Sequence, residues 1–257
     1  MATHPASAAP IVADNLTAAD LRAALGAGFR DFLACPLYGL FFGAIYVVTG
    51  LAVAYALFWR GEAGWLVPVT AGFPLIAPFA AVGLYEVSRR RELGEPIGWG
   101  SVLGALRGRG DEQLLMMGGF VFVGFSFWVI IAHAIFSIFM AESGLGGESL
   151  AVLRTQAGLW MLLVGTAVGA LLAWGFYCIT VVSLPMLVDR DVDFISAIIA
   201  SIRAVRANLG VMLAWAIIVA ASLFVAMIPL FLGLLGVLPV LGHATWHLYR
   251  RAITSAP

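Results

Sequence analysis

His243 and His247 stand four positions apart, a spacing that puts both imidazoles on one face of a helix. Two histidines so placed can hold a metal ion or sit at a haem edge. The same spacing also suits hydrogen-bonded histidines at a membrane surface, with Trp246 and Tyr249 as their interfacial aromatic neighbours. A hydrolytic metal site would need carboxylates alongside, and the run from Gly242 to Tyr249 has none. His243 and His247 are therefore the metal-ligand candidates, with no metal and no cofactor assigned. Glu86 precedes Arg89 and Arg90 by three and four positions, which predicts ion pairs along one helix face, either at the surface or lining a cytoplasmic pocket. Asp189, Arg190, Asp191 and Asp193 form the densest charge cluster. Their alternating carboxylates follow a calcium loop only superficially, because its central glycine and closing glutamate are missing. Helix capping and a salt-bridge network with nearby arginines fit that cluster better.

Glu86, Arg89, Arg90, Asp189, Arg190 and Asp191 are thus the candidate interaction residues. No catalytic residue is assigned, since no phosphate loop, nucleophile elbow or zinc-protease motif occurs. Cys35 and Cys178 lie far apart and form no metal or redox spacing.

These groups sit in a chain that is 62% hydrophobic and 11% charged, far more apolar than a soluble domain. Its net charge is zero, which gives no electrostatic case for nucleic acid as a partner. A bilayer core needs about 20 apolar residues as helix. Charge-free runs meet that length at Leu37 to Trp59, Trp65 to Tyr85, Leu114 to Met140 and Ala157 to Leu184. From Ala207 to Tyr249 there is no Asp, Glu, Lys or Arg. As one straight helix that run would exceed roughly 60 Å, twice a bilayer core of about 30 Å. It must fold back, and Pro229, Gly233 and Gly236 supply the turn. Spans five and six then fall at about Leu209 to Leu230 and Leu234 to Leu248. The expectation is an all-α, polytopic bundle of six transmembrane helices.

Every basic residue is an arginine, and the arginines fall unequally about these spans. Twelve lie before span one, in the loops after spans two and four, or at the C-terminus; only Arg60 and Arg154 lie on the other side. The bias predicts cytoplasmic N- and C-termini. Pro68, Pro74 and Pro78 interrupt span two, and Pro229 and Pro239 the last hairpin, as plain kinks or as ion-binding breaks of the kind transporters use.

Three short stretches precede the three pairs of spans. Thr17 to Asp20 fits a capping box, followed by Leu21, Leu25, Phe29 and Phe32 at helical spacing. Trp99, Val102, Leu103 and Leu106 repeat that spacing, as do Val192, Ile195, Ile199 and Ile202. Each reads as an amphipathic helix in the membrane interface. Residues 16–251 would form one domain, arranged as three units (about 16–88, 96–184 and 191–249) of interfacial helix plus transmembrane hairpin. Residues 1–15, rich in Ala and Pro, read as a disordered tail, and 252–257 as a second tail. The first long apolar run starts too far in for a cleavable signal. Gly39-x-x-x-Gly43 and Gly165-x-x-x-Gly169 mark close helix packing, within the bundle or between copies.

The stretches DFLACPLYGL (31–40), GFPLIAPF (72–79), GLYEVSRR (83–90), SLPMLVDRD (183–191) and GHATWHLYRR (242–251) resemble a family of uncharacterised bacterial integral membrane proteins that carry a domain of unknown function. The family is known mainly from proteobacteria, so the resemblance implies the bacterial inner membrane. Its members are sometimes labelled cytochrome c oxidase subunit I-like. The catalytic oxidase subunit needs more histidines and more spans than this chain carries, so the chain is not that subunit.

With no charge inside a predicted span and no catalytic motif, the expected function is non-catalytic: an accessory, scaffold or assembly partner of a larger membrane complex, with a respiratory complex as one such partner. The alternative is a small-solute transporter or channel, with a polar cavity near Pro74, Pro78 or His133.

Overall fold

The computed structural model describes residues 11–61, 77–105, 112–143 and 154–254. Within them the chain is helical apart from one two-stranded contact. The helices are α1 (Ala18–Ala34), α2 (Pro36–Trp59), α3 (Ala77–Leu93), α4 (Trp99–Gly104), α5 (Gln113–Ser143), α6 (Gln156–Thr180), α7 (Ser183–Asp189), α8 (Phe194–Ala207), α9 (Leu209–Met227) and α10 (Leu234–Ala252). Strand β1 (Ile11–Val12) pairs antiparallel with β2 (Ile253–Thr254), Ile11 facing Thr254 and Val12 facing Ile253.

Four segments among the described residues are long and apolar enough to cross a membrane: Pro36–Trp59, Gln113–Phe139, Gln156–Asp189 and Leu209–Met227. They match expected spans one, three, four and five. Most of expected span two, with Pro68 and Pro74, lies outside the described residues, as does the side chain of Pro78. Only its C-terminal part is described, as α3. Expected span six is a helix, but a different kind of helix. Pro36 starts α2 at the first helical position, where its missing N–H is harmless. By contrast α10 holds Pro239 in its interior, carries His243, His247, Arg250 and Arg251, and is too polar to count with the four. It runs through the middle of the bundle, packed on α1, α2 and α3, with Leu238, Leu241, Ala244, Trp246, Leu248 and Tyr249 all buried.

The turn expected inside the long charge-free run is present. Ile228 to Gly233 separate α9 from α10, and Leu230 and Phe231 take positive φ of 52° and 64° to reverse the chain. Gly233 lies so close to α9 that a Cβ there would stand 2.7 Å from the Ala226 backbone.

The amphipathic stretches form as helices, with small residues turned to the protein and several of the large apolar ones exposed. On α1 the buried side is Leu21, Ala24, Gly28 and Asp31, while Phe29 and Leu33 are exposed. On α8 the buried side is Ala197, Ala200, Ser201, Ala204 and Val205, while Ile195 and Ile199 are exposed. On α4, Val102 is buried and Leu103 exposed; Leu106 lies outside the described residues. The physical reason is that lipid solvates large apolar side chains as well as a protein core does, so helices meet along their small residues. Gly28 shows the consequence: a Cβ there would stand 2.5 Å from the Ala244 nitrogen and 2.7 Å from the Val240 oxygen of α10. Gly43 meets α10 similarly, its Cβ position 2.9 Å from Leu235 Cα, and Gly169 meets Trp128 of α5. Gly39, Gly43 and Gly169 therefore pack helices within this one chain.

At the N-terminus of α1, Asp20 Oδ2 accepts from the Thr17 backbone N–H (2.9 Å) and from its hydroxyl (2.7 Å), the expected capping box. Asp193 caps α8 by accepting from Ser196 N–H at 2.8 Å. Residues 11–15, read from sequence as part of a disordered tail, are ordered here. Asn208, between α8 and α9, donates to Ala13 O (2.6 Å) and accepts from Leu16 N–H (3.0 Å), which delivers Ile11–Val12 to the end of α10. Helix α6 breaks at Val181–Val182, where Ser201 Oγ donates to Cys178 O (2.7 Å) and accepts from Val182 N–H (3.2 Å). The break turns α7 into the core, with Leu184 to Val188 fully enclosed.

In chain order α1, α4 and α8 each precede a pair of long helices. The pairs occupy unequal environments: α10 is central, whereas α5 and α6 pack mainly on each other.

Candidate functional site

Three polar clusters occupy one end of the bundle, where α1, α3, α7 and α10 converge. The first is built around Asp31. Its Oδ2 accepts from Ser88 Oγ of α3 at 2.6 Å and from His247 Nε2 of α10 at 2.9 Å, and its Oδ1 pairs with Arg91 Nε at 3.3 Å. Ser88 Oγ also meets His243 Nδ1 at 2.8 Å. Because the Ser88 proton is committed to Asp31, the hydrogen on this second contact must come from His243 Nδ1. Nε2 is then the unprotonated nitrogen of His243, and it is buried with no hydrogen-bond partner among the described residues. Burial pushes the Asp31 carboxyl up, but the bonds from His247 and Ser88 outweigh this and hold it below its ordinary range.

Asp, Ser and His in contact invite comparison with a nucleophilic triad. In a triad the histidine stands between the serine and the acid, ready to take the serine proton. Here the serine stands in the middle, its proton held by the acid, and both Ser88 and His243 are fully buried. The arrangement is a three-helix clamp. His243 and His247 do share one face, as their spacing predicts, and that face is turned to a carboxylate and a hydroxyl. Among the described residues no three His, Cys, Asp or Glu side chains are grouped to hold a metal ion.

The second cluster contains three of the sequence candidates. Glu86 accepts a paired contact from Arg89, Nε at 2.7 Å and Nη2 at 2.9 Å, and a third bond from Arg90 Nε at 2.5 Å. Arg89 Nη2 reaches on to Glu95 Oε2 at 3.4 Å, and Arg90 Nη1 donates to Pro96 O at 2.8 Å. Burial pushes the Glu86 carboxyl up, but the two guanidinium groups more than compensate and hold it low. The i, i+3 and i, i+4 spacing was legible; the depth was not, for Glu86 is 6% and Arg89 5% exposed. The cluster lines a cavity of about 270 Å³, completed by Ser101, Gly104, Ala105 and Val188.

The third cluster surrounds Asp189 at the end of α7. Its Oδ2 accepts from Tyr249 Oη (2.7 Å) and Arg250 Nη1 (3.2 Å), and Arg190 lies 3.6 Å away. Arg250 Nε also donates to Glu92 Oε1 at 3.1 Å, and Glu92 Oε2 accepts from Trp246 Nε1 at 3.1 Å. The salt-bridge network expected for this segment is thus formed, and it locks α3, α7 and α10. Asp191 is exposed beyond it.

Sequence reasoning missed Asp31, Ser88 and Glu92. Asp31 carried one usable signal: it continues the small-residue face of α1, at three, seven and ten positions after Gly28, Ala24 and Leu21 respectively. His133 is exposed on α5 and is not part of the cavity lining. His4, Arg107 and Arg109 lie outside the described residues.

Residues 66–189 match the family model described as predicted integral membrane protein (DUF2189). No curated protein and no solved structure matches the chain. The matched stretch contains the Glu86–Arg89–Arg90 cluster, Ser88 and Asp189, and two of the four membrane-crossing segments. The chain is a multi-pass integral membrane protein. Asp31, His243 and His247 complete the first cluster from outside the matched stretch.

Proposed function

We propose that this chain is a non-catalytic protein of the bacterial inner membrane, acting as an accessory, scaffold or assembly partner of a larger membrane complex. The carrying observation is how the polar groups are used. Asp31, Ser88, Arg91, Glu92, Asp189, His247 and Arg250 bond one another across α1, α3, α7 and α10, so the chemistry-bearing side chains fasten helices. Helices α5, α6 and α9 leave large apolar side chains uncovered, with Phe122, Phe127, Leu163, Leu171, Ile217 and Phe224 exposed. Those faces suit lipid and partner helices. The convergence of Arg89, Arg90, Arg91, Arg190, Arg250 and Arg251 at one end agrees with a cytoplasmic placement of that end and of both termini. The order of α1, α4 and α8 before pairs of long helices supports a plan of three related units with six spans.

Capture of the tagged full chain from gently solubilised native membranes tests the reading. A reproducible, stoichiometric membrane-protein partner is expected. A monodisperse, partnerless protein would overturn it, and solute flux into proteoliposomes holding the chain alone would favour the transporter alternative.

A further inference from the structure

The cavity beside Glu86 has a composition that the helix-fastening role does not require. Its lining presents two guanidinium groups and one carboxylate, and a second carboxylate, Glu95, stands outside the lining at 3.4 Å from Arg89 and 3.6 Å from Arg90. Both Glu86 oxygens are already engaged by Arg89 and Arg90, while Arg89 Nη1 and Arg90 Nη2 take part in none of the bonds that hold the cluster. Ser101 also lines the cavity, with its hydroxyl donating to Gly98 O at 2.7 Å. Two guanidinium nitrogens outside those bonds, beside a volume of about 270 Å³, suit a tetrahedral oxyanion better than a cation or an apolar ligand.

The surroundings point to the membrane surface. Helix α4 supplies one wall, and its Trp99 packs on Tyr38 and Phe41 of α2 with ring centroids 4.6 and 5.0 Å apart. Leu37, Leu40 and Phe41 of α2 and Leu103 of α4 are exposed next to this aromatic group. Aromatic residues at the end of a spanning helix mark headgroup depth, and arginine pockets at that depth hold lipid phosphates. We propose that the Glu86–Arg89–Arg90 cavity is a binding site for a phosphate group, with Arg89 and Arg90 as donors and Glu86 holding both guanidinium groups in place. The phosphate comes from a phospholipid headgroup or from free phosphate.

The test uses the full chain in uncharged maltoside micelles. Phosphatidylglycerol, a phosphate-free diacyl glycolipid and inorganic phosphate are added separately. Retained lipid is read by native mass spectrometry and the thermal midpoint is read for each addition. Phosphatidylglycerol is expected to be retained and to raise the midpoint while the glycolipid does neither, with retention at least five-fold weaker in Arg90→Gln. A midpoint raised by inorganic phosphate without lipid retention would support the site and identify free phosphate as the source. Gly104→Leu provides a second variant that leaves every charge in place: Gly104 lines the cavity and a Cβ there meets nothing within 4 Å among the described residues, so the leucine narrows the site without a clash among them. Binding that survives Gly104→Leu unchanged, equal retention of the glycolipid, or no response to either phosphate source would overturn the proposal.

Discussion

Asp31 and His247 stand 216 positions apart in the chain and 2.9 Å apart in the fold. The contact joins α1, which precedes the first spanning helix, to α10, the last helix among the described residues. Ser88 and Arg91 bring α3 to the same carboxylate. One side chain therefore ties three helices together, beside the Glu92 bonds to Trp246 and Arg250 and the Asp20 pair with Arg251. Replacing it removes an acceptor and leaves buried donors without partners, which costs more than the bonds themselves contribute. Asp31→Ala should lower stability by about 2–3 kcal/mol. Ser88→Ala, which removes the bonds to Asp31 and His243 but leaves the carboxylate with His247 and Arg91, should cost about 1–2 kcal/mol. Thermal midpoints in one detergent give both values, and an Asp31→Ala midpoint equal to wild type would rule the clamp out.

The same carboxylate makes stability depend on pH in a fixed direction. Burial opposes its ionisation, but the bonds from His247 and Ser88 prevail and leave its pKa lowered in the folded protein. A lowered acid contributes stability that is complete above its ordinary value near 3.8 and is lost as pH falls through the folded value. Glu86 contributes in the same direction from an ordinary value near 4.5. The wild-type midpoint should fall steeply below about pH 4, and Asp31→Asn should flatten the acid limb while lowering the neutral plateau. Parallel acid limbs in the two proteins would show that Asp31 carries none of it.

Apolar runs are a local signal, so four of the spanning segments could be read from them, and so could the reversal near Pro229. The capping box at Thr17 and the pairing of Glu86 with Arg89 and Arg90 are local too. What a run cannot state is its solvent. The stripe through Leu25 and Phe29 was visible, yet lipid takes Phe29 while Gly28 and Ala24 take the protein contact. Expected span six had the length of a membrane helix, but its two histidines, and the two arginines that follow it in α10, face neighbours contributed by α1, α3 and α7. Asp31 and Ser88 have no spacing partner nearby, and their significance arises only when α10 folds between α1 and α3.

Gly28 tests the claim that small residues set the helix contacts. A Cβ there meets the Ala244 nitrogen and the Val240 oxygen, both backbone atoms that cannot rotate away. Gly28→Leu must push α1 off α10 and stretch the Asp31 to His247 contact, a loss of about 3 kcal/mol or more. Gly26, two residues earlier, has only the flexible tip of Arg30 near its Cβ position, at 3.7 Å. Gly26→Leu should therefore fold normally. Equal midpoints for the two variants would refute close packing as the reason for glycine at position 28.

Asn208 closes the structure at the other junction. Its carbonyl accepts from Leu16 N–H at 3.0 Å, and its amide donates to Ala13 O at 2.6 Å and Ala204 O at 3.1 Å. These bonds hold the segment that pairs Ile11 and Val12 with Thr254 and Ile253, so the two ends of the described chain depend on one buried amide. Asn208→Ala should cost about 1–2 kcal/mol. It should also speed hydrogen exchange at the Leu16 amide and in the β1–β2 pair while leaving the amides of α5 and α6 unchanged. Asn208→Asp keeps the acceptor for Leu16 but loses the donor to Ala13. Its Leu16 amide should stay protected while the strand pair loosens. Uniform loosening in both variants would mean that Asn208 merely fills space between α8 and α9.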